Sequence, residues 1–232
     1  MSTPPRKIHN VAIILYPGTD ILDFGNPLEI LSNTTYNLDR TRPEPAFSTT
    51  LIARTPTIAT GTNGCLTVST DTTFEAATAR ISDFDILVVP GGNRPLLEEF
   101  ARTGCPEIEF VKAFNALPPK EGADERIMFT VCTGALLAAA AGALRGMRAT
   151  THHMALEVLR GIDGTIEVVS SFGEEGVGRY VDGGRNGSGV RVVTAGGITC
   201  GLDAALFVAE LKAGREAAAF EAVMIEHEWK RV

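Results

Sequence analysis

The stretch RIMFTVCTGALLAAAAGAL, residues 126–144, places one cysteine between two segments of different character. The residues before the cysteine are apolar at nearly every position, which is typical of a strand buried on both faces of a parallel sheet. The residues after it are rich in alanine, the strongest helix former. A strand followed directly by a helix is the building unit of a parallel α/β sheet, so this stretch predicts the fold class and puts Cys132 at the carboxyl end of a strand.

The rest of the chain repeats this alternation. Further apolar runs of strand length lie at 10–16, 47–53, 85–90, 166–171 and 190–196, besides the run at 126–131. Helical patterns lie at roughly 22–33, 95–102, 106–116, 134–144, 154–160, 201–213 and 215–229. Two segments rich in glycine or threonine, 55–74 and 178–196, predict hairpins. The pattern predicts a single α/β domain over 1–232, with a mostly parallel central sheet sandwiched by helices.

Composition narrows the classes of function. The chain has 232 residues, is 44% hydrophobic and carries a net charge of -7, so it has a sizeable core but no basic patch for nucleic acid or anionic membrane. It has no run of 18 apolar residues, and its first ten residues are polar, so we expect a cytoplasmic protein. Its four cysteines have no metal-ligand spacing, so we expect no metal.

Cys132 has two interpretations. The helix predicted to open at about Gly134 directs its free N–H groups towards the sulfur, which favours the thiolate and predicts a pKa below the ordinary value of about 8.5. A lone cysteine at a strand end can equally be a small buried hydrophobe. From position alone the two interpretations are about equally supported. The cysteines at 65, 105 and 200 are interpreted as structural.

Three further segments carry polar or glycine-rich chemistry. VVPGGN, residues 88–93, ends a strand in paired glycines whose N–H groups can approach a substrate closely. YPGTDILDFGNPLEIL, residues 16–31, surrounds a helix start with Asp20, Asp23 and Glu29, any of which can be a helix cap. RATTHHM, residues 148–154, contains His152, which can be an ordinary loop residue.

Together the stretches LYPGTDILDFGNPLEIL, LVVPGGN, TVCTGALLAAAAGALRGMRATTHH and VVTAGGITCGLDAALFV resemble the DJ-1/ThiJ/PfpI superfamily. They look most like the branch with isocyanide hydratases and the sensor domains of AraC-type regulators. The resemblance implies a flavodoxin-like three-layer sandwich, a homodimer and no cofactor. It makes Cys132 the nucleophile and Asp23 the acid that faces it, with backbone N–H groups of Gly92 and Thr133 directed at the reacting atom. Asp20 is then a surface residue.

The resemblance favours a cysteine-dependent hydratase or lyase acting on a small electrophile, with hydration of an isocyanide to an N-substituted formamide as the best-matched reaction. Two alternatives remain. One is a glyoxalase III-type lyase on methylglyoxal, and the other is a non-catalytic redox sensor whose cysteine is oxidised. A glutaminase-type triad needs an acid two residues after the histidine, but His152 is followed by His153 and Met154. His152 is therefore predicted to be auxiliary.

Overall fold

The computed structural model describes residues 6–120, 124–172 and 178–231. Its strands are β1 (His9–Ile14), β2 (Phe47–Ala53), β3 (Thr57–Thr60), β4 (Leu66–Ser69), β5 (Thr72–Thr73), β6 (Ile86–Val89), β7 (Ile127–Val131), β8 (Arg148–Ala149), β9 (Glu167–Val168), β10 (Tyr180–Arg185) and β11 (Arg191–Ala195). Its α-helices are α1 (Ile21–Asn33), α2 (Phe74–Thr78), α3 (Arg94–Thr103), α4 (Pro106–Asn115), α5 (Gly134–Ala140), α6 (Leu156–Ile162), α7 (Cys200–Ala213) and α8 (Arg215–Met224).

Within these described ranges, seven strands form the central sheet in the order β10-β11-β7-β6-β1-β2-β5. Every pairing in it is parallel except that of β10 with β11. Successive residues of the inner strands point to opposite faces, so Ile14 packs into one apolar core and Ile13 into the other. Helices α3 to α6 cover the first face, and α1, α7 and α8 cover the second. The predicted fold class, a mostly parallel sheet between two helical layers, is confirmed.

The predicted strand at 166–171 is wrong in extent and in place. Only Glu167–Val168 is extended, and it pairs with β8 in a separate two-stranded sheet. The apolar side chains of Ile166 and Val169 are buried all the same, although this short sheet lies outside the central one and contacts α6 and β10. A short apolar run indicates that a segment is buried, but it does not indicate which sheet the segment joins.

Two helices are shorter than the sequence pattern predicts. Helix α5 ends at Ala140 rather than 144, because Gly142 adopts a positive φ of 76° and the N–H of Ala143 turns back to the carbonyl of Ala138. This is a Schellman-type ending, which glycine permits at no steric cost. Helix α8 ends at Met224, and the predicted continuation to 229 runs as an irregular tail.

The two predicted hairpins are present. Strands β3 and β4 form an antiparallel pair, and β10 and β11 form a second pair that contains a bulge at Asp182/Gly184.

No described helix is both long and apolar enough to cross a bilayer.

Candidate active site

Four neighbouring strands end at one edge of the sheet and supply the residues of the site. The chain leaves β1 towards Asp20, β6 towards Gly92, β7 at Cys132 and β11 towards Ile198. In parallel sheets the crevice beyond the carboxyl ends of the strands is the usual place for a ligand. Residues distant in sequence therefore meet here because their strands are adjacent and parallel.

Cys132 occupies a sharp turn between β7 and α5. Its φ of 55° lies in the left-handed region, which is uncommon for a residue with a side chain. The turn is held by main-chain bonds: the N–H of Cys132 donates to the carbonyls of Ala195 at 3.2 Å and Gly196 at 2.9 Å. Its carbonyl accepts the hydroxyl of Thr151 at 2.8 Å. Such strained strand-to-helix turns recur where a nucleophile is presented to a substrate.

Gly134 allows α5 to start directly behind this turn. A Cβ atom added at position 134 would lie 2.1 Å from the carbonyl oxygen of Val89 and 2.8 Å from that of Pro90. The first turn of α5 therefore packs backbone against backbone with the end of β6. This contact brings the residues after β6 next to the cysteine turn.

Asp23 lies in the first turn of α1 and is fully buried. Its Oδ2 accepts the N–H of Gly91 at 3.1 Å, while Oδ1 has no hydrogen-bond partner among the residues described. The helix cap is Asp20, whose Oδ1 accepts the N–H of Leu22 at 3.2 Å. Capping therefore does not explain Asp23. Asp20, predicted to be a surface residue, is half-buried and also lines the cavity in front of Cys132.

The two side chains interact and both hold their protons tightly. Burial, with the negative charge of Asp20 as the second cause, raises the pKa of Asp23 to about 8. Burial raises the pKa of the Cys132 thiol to about 12, with the Asp23 charge as the second cause. An acidic thiol was expected from the helix start, and this expectation is not met. The N–H groups of Thr133 and Ile198 do lower the pKa of the thiol, but burial outweighs them.

Of the two backbone N–H groups predicted to face the reacting atom, those of Thr133 and Gly92, only that of Thr133 is directed at the sulfur. The N–H of Gly92 donates to the hydroxyl oxygen of Thr133 at 3.0 Å. That hydroxyl in turn donates to the carbonyl of Gly92 at 3.2 Å. Gly92 thus positions the Thr133 side chain, and its N–H is already occupied.

The second donor towards the sulfur is the N–H of Ile198, which the sequence analysis did not identify. Ile198 has a positive φ of 36°, and its carbonyl accepts the side-chain amide of Asn26 at 3.2 Å. The available signal was weak: the segment AGGIT follows an inner strand and so belongs to the same crevice.

His152 lies on the wall of the same cavity. Its Nδ1 accepts the N–H of Met154 at 3.3 Å, and its ring lies 4.3 Å from that of His153. Burial lowers the pKa of His152, and the neighbouring His153 acts in the same direction. Among the described residues no carboxylate is hydrogen-bonded to it, so the arrangement lacks the orienting acid of a Cys-His-acid triad.

The cavity beside Cys132 has a volume of about 230 Å³ and a mostly apolar lining. It is large enough for a small organic molecule. In the ranges with described coordinates, no group of three or more His, Cys, Asp or Glu side chains is placed to hold a metal ion. The lining residues are Asp20, Gly92, Arg94, Cys132, Thr133, His152, Met154 and Ile198.

Comparisons with known proteins agree with the observed fold. Residues 9–203 match the DJ-1/PfpI family. The isonitrile hydratase of Pseudomonas putida is 27% identical over 219 residues, which cover 94% of this chain and 78% of that one. A ThiJ/PfpI family protein from Pseudomonas syringae superposes with a TM-score of 0.69 at 23% identity, covering 98% of this chain and 78% of that one. DJ-1beta of Drosophila melanogaster gives 0.70 at 14% identity, covering 96% of this chain and 100% of that one. At such low sequence identities, these two superpositions support the fold only.

Proposed function

This chain belongs to the DJ-1/PfpI family, and we propose that it is a cysteine-dependent hydratase that converts an isocyanide into an N-substituted formamide. The observation that carries the proposal is the buried Asp23–Cys132 pair. Cys132 lines one small, mostly apolar cavity, and the fully buried carboxyl of Asp23 is hydrogen-bonded to its sulfur. The 27% identity to an isonitrile hydratase supports the choice of substrate.

The first step needs a nucleophile and a proton at the same carbon. The sulfur of Cys132 forms a bond to the terminal carbon of the isocyanide, and the carboxyl of Asp23 delivers a proton to that carbon. The thiol proton moves to Asp23 and replaces the proton delivered. The product is a thioimidate, R–N=CH–S–Cys132, and no free charge is left in the buried site. A neutral pair suits this step, because neither partner has to ionise before the substrate arrives.

The second step resolves the covalent intermediate with water. Water adds to the thioimidate carbon, the C–S bond breaks, and the sulfur takes back a proton. The products are the formamide, R–NH–CHO, and the free thiol. The N–H groups of Thr133 and Ile198 stabilise negative charge on the sulfur as it leaves, since both are directed at it. His152 contacts the substrate from the cavity wall and transfers no proton in this scheme.

The test is turnover of phenyl isocyanide by the purified protein, with formation of N-phenylformamide followed by mass spectrometry. We expect Cys132→Ala to be inactive and Asp23→Asn to lose about 100-fold or more in kcat, the usual contribution of a positioned general acid. His152→Ala should lose much less. Loss as complete as that of Cys132→Ala would instead indicate a Cys-His mechanism.

Methylglyoxal is assayed in parallel with the same variants. Turnover of methylglyoxal but not of the isocyanide would replace the proposal with a glyoxalase III-type lyase. Turnover of neither, with ready oxidation of Cys132 by peroxide, would favour the redox sensor.

A further inference from the structure

A second, larger cavity adjoins the one that contains Cys132. It has a volume of about 470 Å³ and a predominantly polar lining. The loop between β3 and β4 forms one wall, and the start of α3 forms another. The two cavities share Asp20 and Gly92, so a ligand with its reactive end at Cys132 can extend past Asp20 into the polar space.

Asp20 is a carboxylate without a counterion at this boundary. Its Oδ1 accepts the capping N–H of Leu22, whereas its Oδ2 has no hydrogen bond from any residue with described coordinates. In the same ranges it forms no ion pair. Arg94, a cation in the described lining of the apolar cavity, is bound to Glu98 at 3.1 Å and to the carbonyl of Met154 at 2.9 Å. One negative charge therefore faces the passage between the cavities.

The polar cavity has neutral side chains around that charge. Thr62, Asn63 and Asn93 line it, and Asn93 uses its Oδ1 to cap α3 through the N–H of Leu96. Because the described residues of the lining include no second charged side chain, Asp20 sets the electrostatic preference of the cavity.

We propose that Asp20 is a specificity-determining residue that selects substrates carrying a positively charged group beyond the electrophilic carbon. The apolar cavity takes the reactive end, and the polar cavity takes the cationic end beside the Asp20 carboxylate. The proposal deepens the proposed function, because it names the class of isocyanide that the site accepts. The preference for a positive charge does not depend on the isocyanide group, so it should apply to any electrophile that reacts with Cys132.

The first experiment compares two aryl isocyanides of equal shape, one with a para-trimethylammonium group and one with a para-tert-butyl group. We expect the wild type to favour the cationic compound in kcat/KM, and Asp20→Asn to lower the cationic-to-neutral ratio by about five-fold, as for a partly screened ion pair. Asparagine caps a helix as well as aspartate does, so the variant keeps α1 and loses only the charge. Asp20→Ser is a second neutral variant that can cap the helix.

The second experiment does not depend on isocyanide chemistry. Cys132 is labelled with a pair of methanethiosulfonates, 2-(trimethylammonio)ethyl and its neutral isostere 3,3-dimethylbutyl, and its modification is followed by peptide mapping. In each reaction the thiol sulfur displaces methanesulfinate and forms a disulfide. The ratio of the two rates within one protein cancels any change in thiol pKa that the substitution at Asp20 causes. We expect this ratio to fall about five-fold in Asp20→Asn.

The matched control is Asp83→Asn, which makes the same charge change at an exposed residue beside the amino end of β6. It should leave both ratios unchanged. Equal ratios in wild type and Asp20→Asn, or an equal fall in Asp83→Asn, would overturn the role of Asp20. A fall in the labelling ratio without turnover of either isocyanide would support the role of Asp20 and reject the proposed hydratase.

Discussion

Asp23 and Cys132 show how two buried groups control each other's protonation. Each lies in an environment that disfavours charge. The negative charge of Asp23 raises the pKa of the Cys132 thiol, whereas the hydrogen bond from Cys132 lowers the pKa of Asp23. At neutral pH the carboxyl therefore keeps a proton that an exposed aspartate has lost. The pair titrates as a unit, so its reactivity depends on both residues together.

The raised pKa of Asp23 predicts how stability depends on pH. Between about pH 4 and pH 8 the folded protein keeps the Asp23 proton while the unfolded chain has lost it. The free energy of unfolding therefore falls as pH rises through this window, by up to about 1.4 kcal/mol per pH unit. We expect Asp23→Asn to lack this contribution, so that it becomes more stable relative to the wild type as pH rises. Urea denaturation of both proteins from pH 5 to pH 8 measures this, and a constant difference would contradict it.

The raised pKa of Cys132 predicts slow alkylation of this thiol in the protein without ligand. Cys65 is exposed, so iodoacetamide at pH 7.5 should modify it before Cys132. Above about pH 8 the Asp23 carboxylate holds the thiol protonated, so Asp23→Asn should be alkylated faster at Cys132. Peptide mapping at several pH values reads both thiols in one sample. Faster labelling of Cys132 than of Cys65 would indicate a preformed thiolate.

At the scale of elements, the site depends on how closely α5 approaches the end of β6. The approach leaves no room for a side chain at Gly134. It also brings Thr133 within hydrogen-bond distance of Gly92, so that the turns after two strands support each other. The rigidity of the crevice thus comes from contacts between turns.

Gly134→Ala tests this packing. The added methyl group would meet the carbonyl of Val89 at 2.1 Å, so we expect a loss of about 2–3 kcal/mol in unfolding free energy. Gly161→Ala is the matched control, because Gly161 lies in α6 with nothing within 4 Å of the added atom. That change should stabilise the protein by up to about 1 kcal/mol. Similar effects of the two substitutions in chemical denaturation would refute the argument.

At the scale of the whole molecule, the buried carboxylate of Asp203 binds the irregular tail that follows α8. Asp203 in α7 is fully buried and accepts bonds from Arg179 at 2.6 Å, His227 at 3.0 Å and the N–H of Lys230 at 2.8 Å. Arg179 also donates to Thr199 at 2.7 Å, next to Ile198. The tail, α7 and one turn of the active site therefore share one carboxylate.

Asp203→Asn should cost about 3 kcal/mol, because it leaves the charge of Arg179 without its buried partner. The control is Glu109→Gln, which breaks an exposed pair with Lys112 and should cost less than about 1 kcal/mol. Denaturation of both variants measures the difference. An equally small cost for Asp203→Asn would mean that the tail contributes little to stability.

The homodimer predicted from the resemblance is a further property of the whole molecule. Leu22, Met154 and Phe172 are exposed apolar side chains on the segments that surround the site, with Phe172 72% exposed. A second copy of the chain would cover such residues. Analytical ultracentrifugation should give twice the chain mass of 24.6 kDa, and a monomer at micromolar concentration would contradict the prediction.

The residues alone predict the alternation of strands and helices and the position of Cys132 at a strand end. These follow from apolar periodicity and helix propensity, which act between residues close together in the chain. The choice of Asp23 over Asp20 came from resemblance, since both lie at the same helix start. The strand at 166–171 was misplaced because its buried apolar residues match either sheet.

The assembled fold is needed to find the protonation of Cys132 and Asp23, the second donor at Ile198 and the exposure of Asp20 to two cavities. Each of these depends on distances between residues far apart in the chain and on the exclusion of water around them. A helix start favours a thiolate locally, but burial of the whole crevice opposes it more strongly. Desolvation is a property of the assembled layers, so no short stretch of sequence contains it.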